Sequence, residues 1–330
     1  MHADEYDVFP IVVPVVRSLR TVNFYLVKDA QSLVLIDAGL NNDDCWRELN
    51  KTLAEHDFSL GDLTHILLTH HHIDHVGLVN RIVSIRPVPV YCHPLSVPRL
   101  KREKDFLDMR IAFFAKLYEE MGCGEMGRKR VKELKKAKTA NASQKIDCDL
   151  IPFSDQRFMH FDVVEFPGHA PDQVGFYDQH RALLFAGDLL IEHISSNALV
   201  EPDEFGRKMD TLVKHVDSLK KCKALDLSLV YPGHGNPIKK PEALIEKRLA
   251  GIERKSVAFL SLIQSGKTTA SEIAKAYYRE TYTKQFSLVM SEVIGHLDYL
   301  EAQGKINKEF VKGIWHYSLV DQASLCFKNV

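Results

Sequence analysis

Seven residues in four short frames could bind metal. The segment THHHIDHVG, Thr69 to Gly77, follows the apolar run Ile66 to Leu68 and packs four ligand-type side chains, His70, His72, Asp74 and His75, into six positions. His70 and His72 alternate while Asp74 and His75 are consecutive, so a loop leaving a strand can aim all four into one small volume. Imidazole nitrogens with a carboxylate suit zinc, and a site built for catalysis keeps one coordination position for water. A lone histidine is ordinarily a packing or surface residue, but that does not account for four ligand types at this spacing. Two further histidines, His169 in PGHAPDQ and His234 in YPGHGNP, each follow a Pro-Gly turn directly after an apolar β run. Asp188 in LLFAGDLL ends another such run, where a buried carboxylate is costly unless paired or metal-bound. Singly, these three frames read equally well as turn chemistry. With the first cluster they complete a set for two cations, since the two oxygens of one carboxylate can bridge a pair.

The elements that must position these residues alternate. VFPIVVPVV, NFYLV and SLVLID read as an antiparallel entry meander, Asn42 to His56 has helical spacing, and LTHILLTH is a short buried strand. A helix from Leu78 to Ile85 and the strand VPVYCH continue the rhythm of a layered α/β architecture. Between about residues 95 and 144 the composition turns helical, with Phe106, Met109, Phe113, Phe114 and Leu117 at amphipathic spacing, which predicts an inserted helical subdomain. Arg99 to Lys138 carries 13 Lys or Arg against 7 Asp or Glu, a local excess of six positive charges concentrated in RKRVKELKKAK. Such a run is either a solvated helix face or a lid that attracts an anionic substrate. Strands resume in FMHFDVVEFPG, VGFYD and ALLFAGD, followed by a helix over Phe205 to Lys221 and the strand LSLVYPGHG. From Glu242 the order is three helices (Ala243 to Ile263, Ala270 to Tyr278, Leu288 to Gln303) and a ribbon, the order of a winged helix. SGKTTAS, Ser265 to Ser271, lacks the first glycine and preceding strand of a phosphate loop and reads as a helix start.

Composition narrows the field. With 330 residues the chain has room for about two domains, and 45% hydrophobic with 26% charged residues describes a packed globular protein. A net charge of -1 gives no overall attraction to nucleic acid or a membrane, and no apolar run is long enough to span one. Six scattered cysteines (Cys45, Cys92, Cys123, Cys148, Cys222, Cys326) without a C-x-x-C pair fit reduced thiols, and the acidic N-terminus has no signal-peptide pattern, so a cytoplasmic location is expected.

In this order, H-x-H-x-D-H, Gly-His, Gly-Asp and Gly-His, the motifs resemble those of the metallo-β-lactamase superfamily over about residues 7 to 240. Asp37 in LVLIDAG also fits that pattern, where it braces the site rather than ligating metal. The resemblance implies a four-layer αββα sandwich with the metals at one edge. It implies His70, His72 and His169 on a first metal, Asp74, His75 and His234 on a second, and Asp188 between them. His65 and His71 fall outside the motif. The C-terminal region resembles the winged-helix tail of the lactamase-β-like subgroup. The expected division is therefore 1–240, a catalytic domain with the insertion at about 95–144, and 241–330, a winged-helix-like domain.

The expected cofactors are two Zn2+ ions, with Mn or Fe as alternatives. Roughly 3.5 to 4 Å apart, they would share a hydroxide active at neutral pH, with Asp74 orienting it. The expected reaction is hydrolysis of an ester, thioester or lactone of a small, anionic molecule. His193, Ser195, Ser196 and Asn197, just after Asp188, are candidate substrate contacts. A metal-dependent ribonuclease or phosphodiesterase is the alternative. A nucleic-acid-binding regulator is less favoured because the third tail helix carries Glu292, Asp298 and Glu301 and no Lys or Arg, whereas a groove-binding helix needs cations. A di-iron redox protein would need a flavin module that the tail does not resemble. The tail is expected instead to be structural or to form a homodimer through exposed aromatics such as Trp315 and Tyr317.

Overall fold

The computed structural model describes residues 5–16, 18–154 and 157–320, so Cys326 lies outside the described residues. Two six-stranded sheets and one two-stranded ribbon carry its strands. In the first sheet β1 (Asp7–Pro14), β2 (Thr21–Lys28) and β3 (Leu33–Ile36) form an antiparallel meander. The strands β4 (His65–Leu67), β5 (Val90–Cys92) and β6 (Leu150–Pro152) then add in parallel. Parallel neighbours need crossovers. The helix α1 (Asp43–Glu55) supplies the first, started by the Asn42 side chain accepting from the Cys45 N–H at 2.8 Å. A short turn, α2 (Ile73–Val76), and α3 (Val79–Ile85) supply the second. The third runs through α4 (Val97–Leu100), α5 (Lys104–Glu120) and α6 (Gly124–Ala140), the predicted helical insertion.

The second sheet comprises β7 (Arg157–Phe158), β8 (Phe161–Glu165), β9 (Val174–Asp178), β10 (Leu183–Gly187), β11 (Leu229–Pro232) and β12 (Ile238–Lys239). Between β10 and β11, which pair in parallel, lies α7 (Thr211–Ala224). Its expected start at Phe205 is corrected. The Asp203 carboxylate accepts from the Phe205 and Arg207 N–H groups and Gly206 sits at φ +78°, so this segment closes a turn before any helix can begin. Two apolar layers hold this unit. Tyr25, Val34, Ile36 and Leu67 of one sheet meet Phe161, Phe176 and Phe185 of the other, while Leu49, Leu53, Val79 and Ile82 cover the outer face of the first. This is the αββα sandwich.

The chain divides into two compact units: the sandwich, comprising residues up to Lys104, Asn141–Ser196 and Ser218–Ile245, and a second unit, comprising Asp105–Ala140, Asn197–Asp217 and the chain from Glu246. The second contains α5, α6, α8 (Glu242–Gln264), α9 (Ala270–Tyr278), α10 (Glu280–Lys284), α11 (Phe286–Ala302) and the ribbon β13 (Ile306–Val311) with β14 (Ile314–Leu319). Thr269 caps α9 in a reciprocal box with Glu272, the helix start read from SGKTTAS. Its core gathers Phe114, Leu117, Phe259, Ile273, Val293 and Leu297. Tyr317, expected to be exposed, is buried in that core at 2% exposure and its N–H donates to the Thr268 carbonyl; Trp315 is half-buried. Alternation along β14 turns Tyr317 inward, a direction that residue type does not reveal.

Candidate metal centre

Four strand ends converge in the sandwich. After β4 the chain passes Leu68 and Thr69 into the histidine loop, and His72 is the cap residue of α2, so Asp74 and His75 leave the first helical turn. His169 follows β8, Asp188 follows β10 and His234 follows β11. Gly233 shows why glycine precedes His234: a Cβ there would stand 2.5 Å from both Asp188 Oδ1 and the His75 ring.

The candidate donor atoms fall into three close groups, each within 4.8 Å: His70, His72 and His169; His70, His75 and Asp188; Asp74, His75 and His234. His72 Nδ1 lies 3.0 Å from both His70 Nε2 and His169 Nε2. Asp188 Oδ2 lies 3.4 Å from His169 Nε2 and 3.3 Å from His234 Nε2, and Asp74 Oδ2 lies 3.5 Å from His234 Nε2. The His75 Nε2 and Asp188 Oδ1 atoms are 3.3 Å apart but misaligned for a hydrogen bond, and both are buried without a partner, as is His234 Nε2. Orphaned buried atoms are costly, and three of them aimed into one nitrogen- and oxygen-lined space fit a cation.

The far side of these rings is anchored, as in metal sites generally. His75 Nδ1 meets Asp37 Oδ2 at 2.7 Å, His234 Nδ1 meets the Thr21 carbonyl at 2.7 Å, His169 Nδ1 meets Ser196 Oγ at 3.0 Å, and His70 Nδ1 meets Thr69 Oγ1 at 3.0 Å. Asp37, at φ +60° just past β3, also accepts from the Thr69 N–H and hydroxyl, each at 2.8 Å. It therefore ties the end of β3 to the histidine loop and to α2 together.

Electrostatics separates the two sides of the cradle. Burial and the neighbouring imidazoles hold His70 and His72 well below the usual histidine range, keeping them neutral donors. Burial opposes charge on His75 too, but Asp37 and Asp188 outweigh it and push its pKa up. His234 shifts up in the same way through Asp188. Burial likewise disfavours charge on Asp188, yet His75 and His234 reverse it and hold the carboxyl well below its ordinary value. A cation would take the place of the protons on those two rings.

Of the other candidates, Ser196 is drawn to His169, and His193 donates its ring N–H to the Ser18 carbonyl at 2.8 Å. Ser195 is exposed and Asn197 is partly buried in the second unit. His65, on β4, lies against Phe158 and Tyr91. Asp172, Ser96 and Thr69 were missed. Asp172 is buried between His71 Nδ1 at 2.7 Å and Ser96 Oγ at 2.5 Å; burial opposes its charge, but His71 and Arg99 hold its carboxyl ionised. The available signal was an aspartate three residues after the His169 turn. Three of the described thiols are poor nucleophiles: burial pushes Cys92, Cys123 and Cys222 up to about 12.

An αββα sandwich carrying a His/Asp cradle at its strand ends defines a class of metal-dependent hydrolases. The description "Metallo-beta-lactamase superfamily" matches residues 17–234, and the chain belongs to that superfamily. The probable metallo-hydrolase YqjP of Bacillus subtilis is 32% identical over 302 residues, 91% of this chain and 94% of its own. Thioesterase pkgB of Emericella nidulans is 26% identical over 249 residues, 74% of this chain and 55% of its own. A metallo-beta-lactamase family protein from Thermus thermophilus, TTHA1429, shares the fold: its crystal structure matches with a TM-score of 0.74 at 24% identity, over 95% of this chain and 98% of that one. Among the described residues no helix is long and apolar enough to cross a membrane.

Proposed function

We propose that this chain is a dinuclear metallohydrolase that opens an acyl thioester, with esters and lactones as chemically related substrates. The observation that carries the reading is Asp188, whose two oxygens face His75 on one side and His169 and His234 on the other, with Oδ1 buried and unpartnered. His70, His72 and His169 would hold one cation, Asp74, His75 and His234 the second, and Asp188 both. The donor set suits zinc, with manganese or iron as alternatives. When bound, such a pair supplies Lewis acidity toward the carbonyl and lowers the pKa of a bound water toward neutrality. Asp74, its side chain 19% exposed, would orient a water at the centre and could accept a proton at its carboxylate. Asp37 and the Thr21 carbonyl, which can only accept, fix the tautomers of His75 and His234 so that each ring turns its Nε2 toward the centre, while Ser196 holds the ring of His169 in place.

The thioester choice rests on the thioesterase among the relatives and on the basic insertion, which favours an anionic substrate. Ser195, His193 and Asn197 are proposed as wall residues, while Ser196 acts through His169. Residues 1–240 would be the catalytic domain, and 241–330 a winged-helix-like domain that pairs two copies rather than reading nucleic acid. The reduced-thiol composition supports the cytoplasm.

The test is elemental analysis of protein purified without a metal-affinity tag, followed by hydrolysis of thioester, lactone, phosphodiester and RNA substrates before and after chelation. About two equivalents of zinc with chelator-sensitive thioester hydrolysis is the expected result. Thioester turnover that survives complete metal removal, or cleavage of RNA alone, would refute the reading.

A further inference from the structure

The helix α6 carries a row of cations that takes no part in the metal cradle. Arg128, Lys129, Lys132, Lys135 and Lys136 are all exposed, and none makes an ion pair among the described residues. Arg130 and Lys138, on the remaining surface, are tied to Glu133 and Asp108. At 3.6 residues per turn the five free cations fall within roughly a third of the helix circumference and rise about 12 Å along it. The opposite side is apolar: Met126, Val131 and Leu134 pack against the core of the second unit, and Gly127 is buried where a Cβ would stand 2.7 Å from Tyr118. The row is therefore held on a fixed backbone.

We infer that this row docks an acidic helix on the protein that carries the thioester, so that the substrate is an acyl group on a carrier protein; this rests on the thioester reading above. Acyl thioesters are presented either on a nucleotide-ended pantetheine or on the pantetheine arm of an acidic carrier. A small nucleotide needs a concave site; Lys129 does line a cavity, shared with Glu133 and Phe286, but Arg128, Lys132, Lys135 and Lys136 lie outside its lining, and the row as a whole matches carboxylates at helical spacing on a facing helix. A bilayer is disfavoured because α6 has no apolar face left to insert. Nucleic acid is the weaker match: four of the five are lysines, hydrated point charges, and no aromatic platform is interleaved among them.

The test compares one acyl chain on two carriers: a recombinant acyl carrier protein bearing an octanoyl thioester and the N-acetylcysteamine thioester of the same acid. In the Lys129→Glu, Lys132→Glu, Lys136→Glu variant, kcat/KM should fall at least tenfold for the carrier-bound substrate, mainly through KM, and stay unchanged for the small one. The corresponding triple Lys→Arg variant should retain both. Wild-type turnover of the carrier substrate should fall steeply with salt. Equal turnover of the carrier substrate by wild type and the glutamate variant overturns the proposal. If wild type hydrolyses neither thioester, the functional reading has failed, and fluorescence anisotropy with labelled carrier protein decides docking alone. Salt-sensitive binding abolished in the glutamate variant supports it, and absent binding, or tighter binding to duplex RNA or DNA lost in the same variant, overturns it.

Discussion

Two sets of buried polar groups, one in each compact unit, are treated differently. In the sandwich, His75 Nε2, His234 Nε2 and Asp188 Oδ1 converge without partners, and the two rings are held from behind. In the second unit, Glu201 takes the Arg110 guanidinium through two contacts, Asp298 meets Lys208, and His296 Nδ1 lies 2.9 Å from Ser256 Oγ. A buried pair completed within the chain holds an architecture together. A set of donors completed on one side only is built to receive something, so pairing rather than burial separates the two roles.

The comparison is broken first where the expected effect is largest. Asp188→Ala should lower kcat/KM by on the order of 10^3-fold or more and reduce bound metal, with the far-ultraviolet helix signal unchanged; retained turnover would remove Asp188 from the chemistry. Glu201→Ala should do the reverse. By leaving the Arg110 charge largely buried it should cost about 3 kcal/mol of stability, read as a fall in denaturant midpoint, with metal content preserved.

The third effect is smaller and depends on pH. Burial depresses His296 to about 4, against 6.5 in an unfolded chain, so the unfolded state binds a proton below 6.5 that the folded state refuses until about 4. Stability is lost as pH falls through that window, by about 2 kcal/mol at pH 5. Asp298 acts in the opposite sense: burial pushes it up to about 6, so its contribution grows on acidification from 6 to 3.8. Wild type should therefore lose stability relative to His296→Asn between pH 6.5 and 4 in paired thermal melts, while the variant alone follows Asp298. Parallel melting curves across that range would mean that His296 binds its proton equally well in the folded and unfolded chain.

The cradle was legible because turn chemistry and ligand chemistry coincide in sequence. Pro-Gly before His169 and His234 marks sharp strand ends, and four ligand-type side chains crowded into six positions of one loop suit a cation better than they suit a core or a solvated surface. The meander, the crossovers and the insertion were legible from period alone. What escaped was set by distant partners. Asp172 gains meaning only from His71 and Ser96, and Thr69 only from Asp37. The start of α7 was misplaced because apolar spacing continued through a segment whose backbone is closed by Asp203 and Gly206. The inward turn of Tyr317 belongs to strand register, which composition does not encode.

The order in which the candidate donors leave the ribosome has a consequence of its own. Asp37 and the four donors of the histidine loop emerge early, His169 and Asp188 only after the long helical insertion, and His234 last. An ion captured by the nascent loop would be only partly coordinated until the second sheet has docked. Contacts this far apart in sequence close slowly. Metal loaded after release from the ribosome meets a finished socket, and metal loaded before it meets a loop open to whichever cation is most abundant.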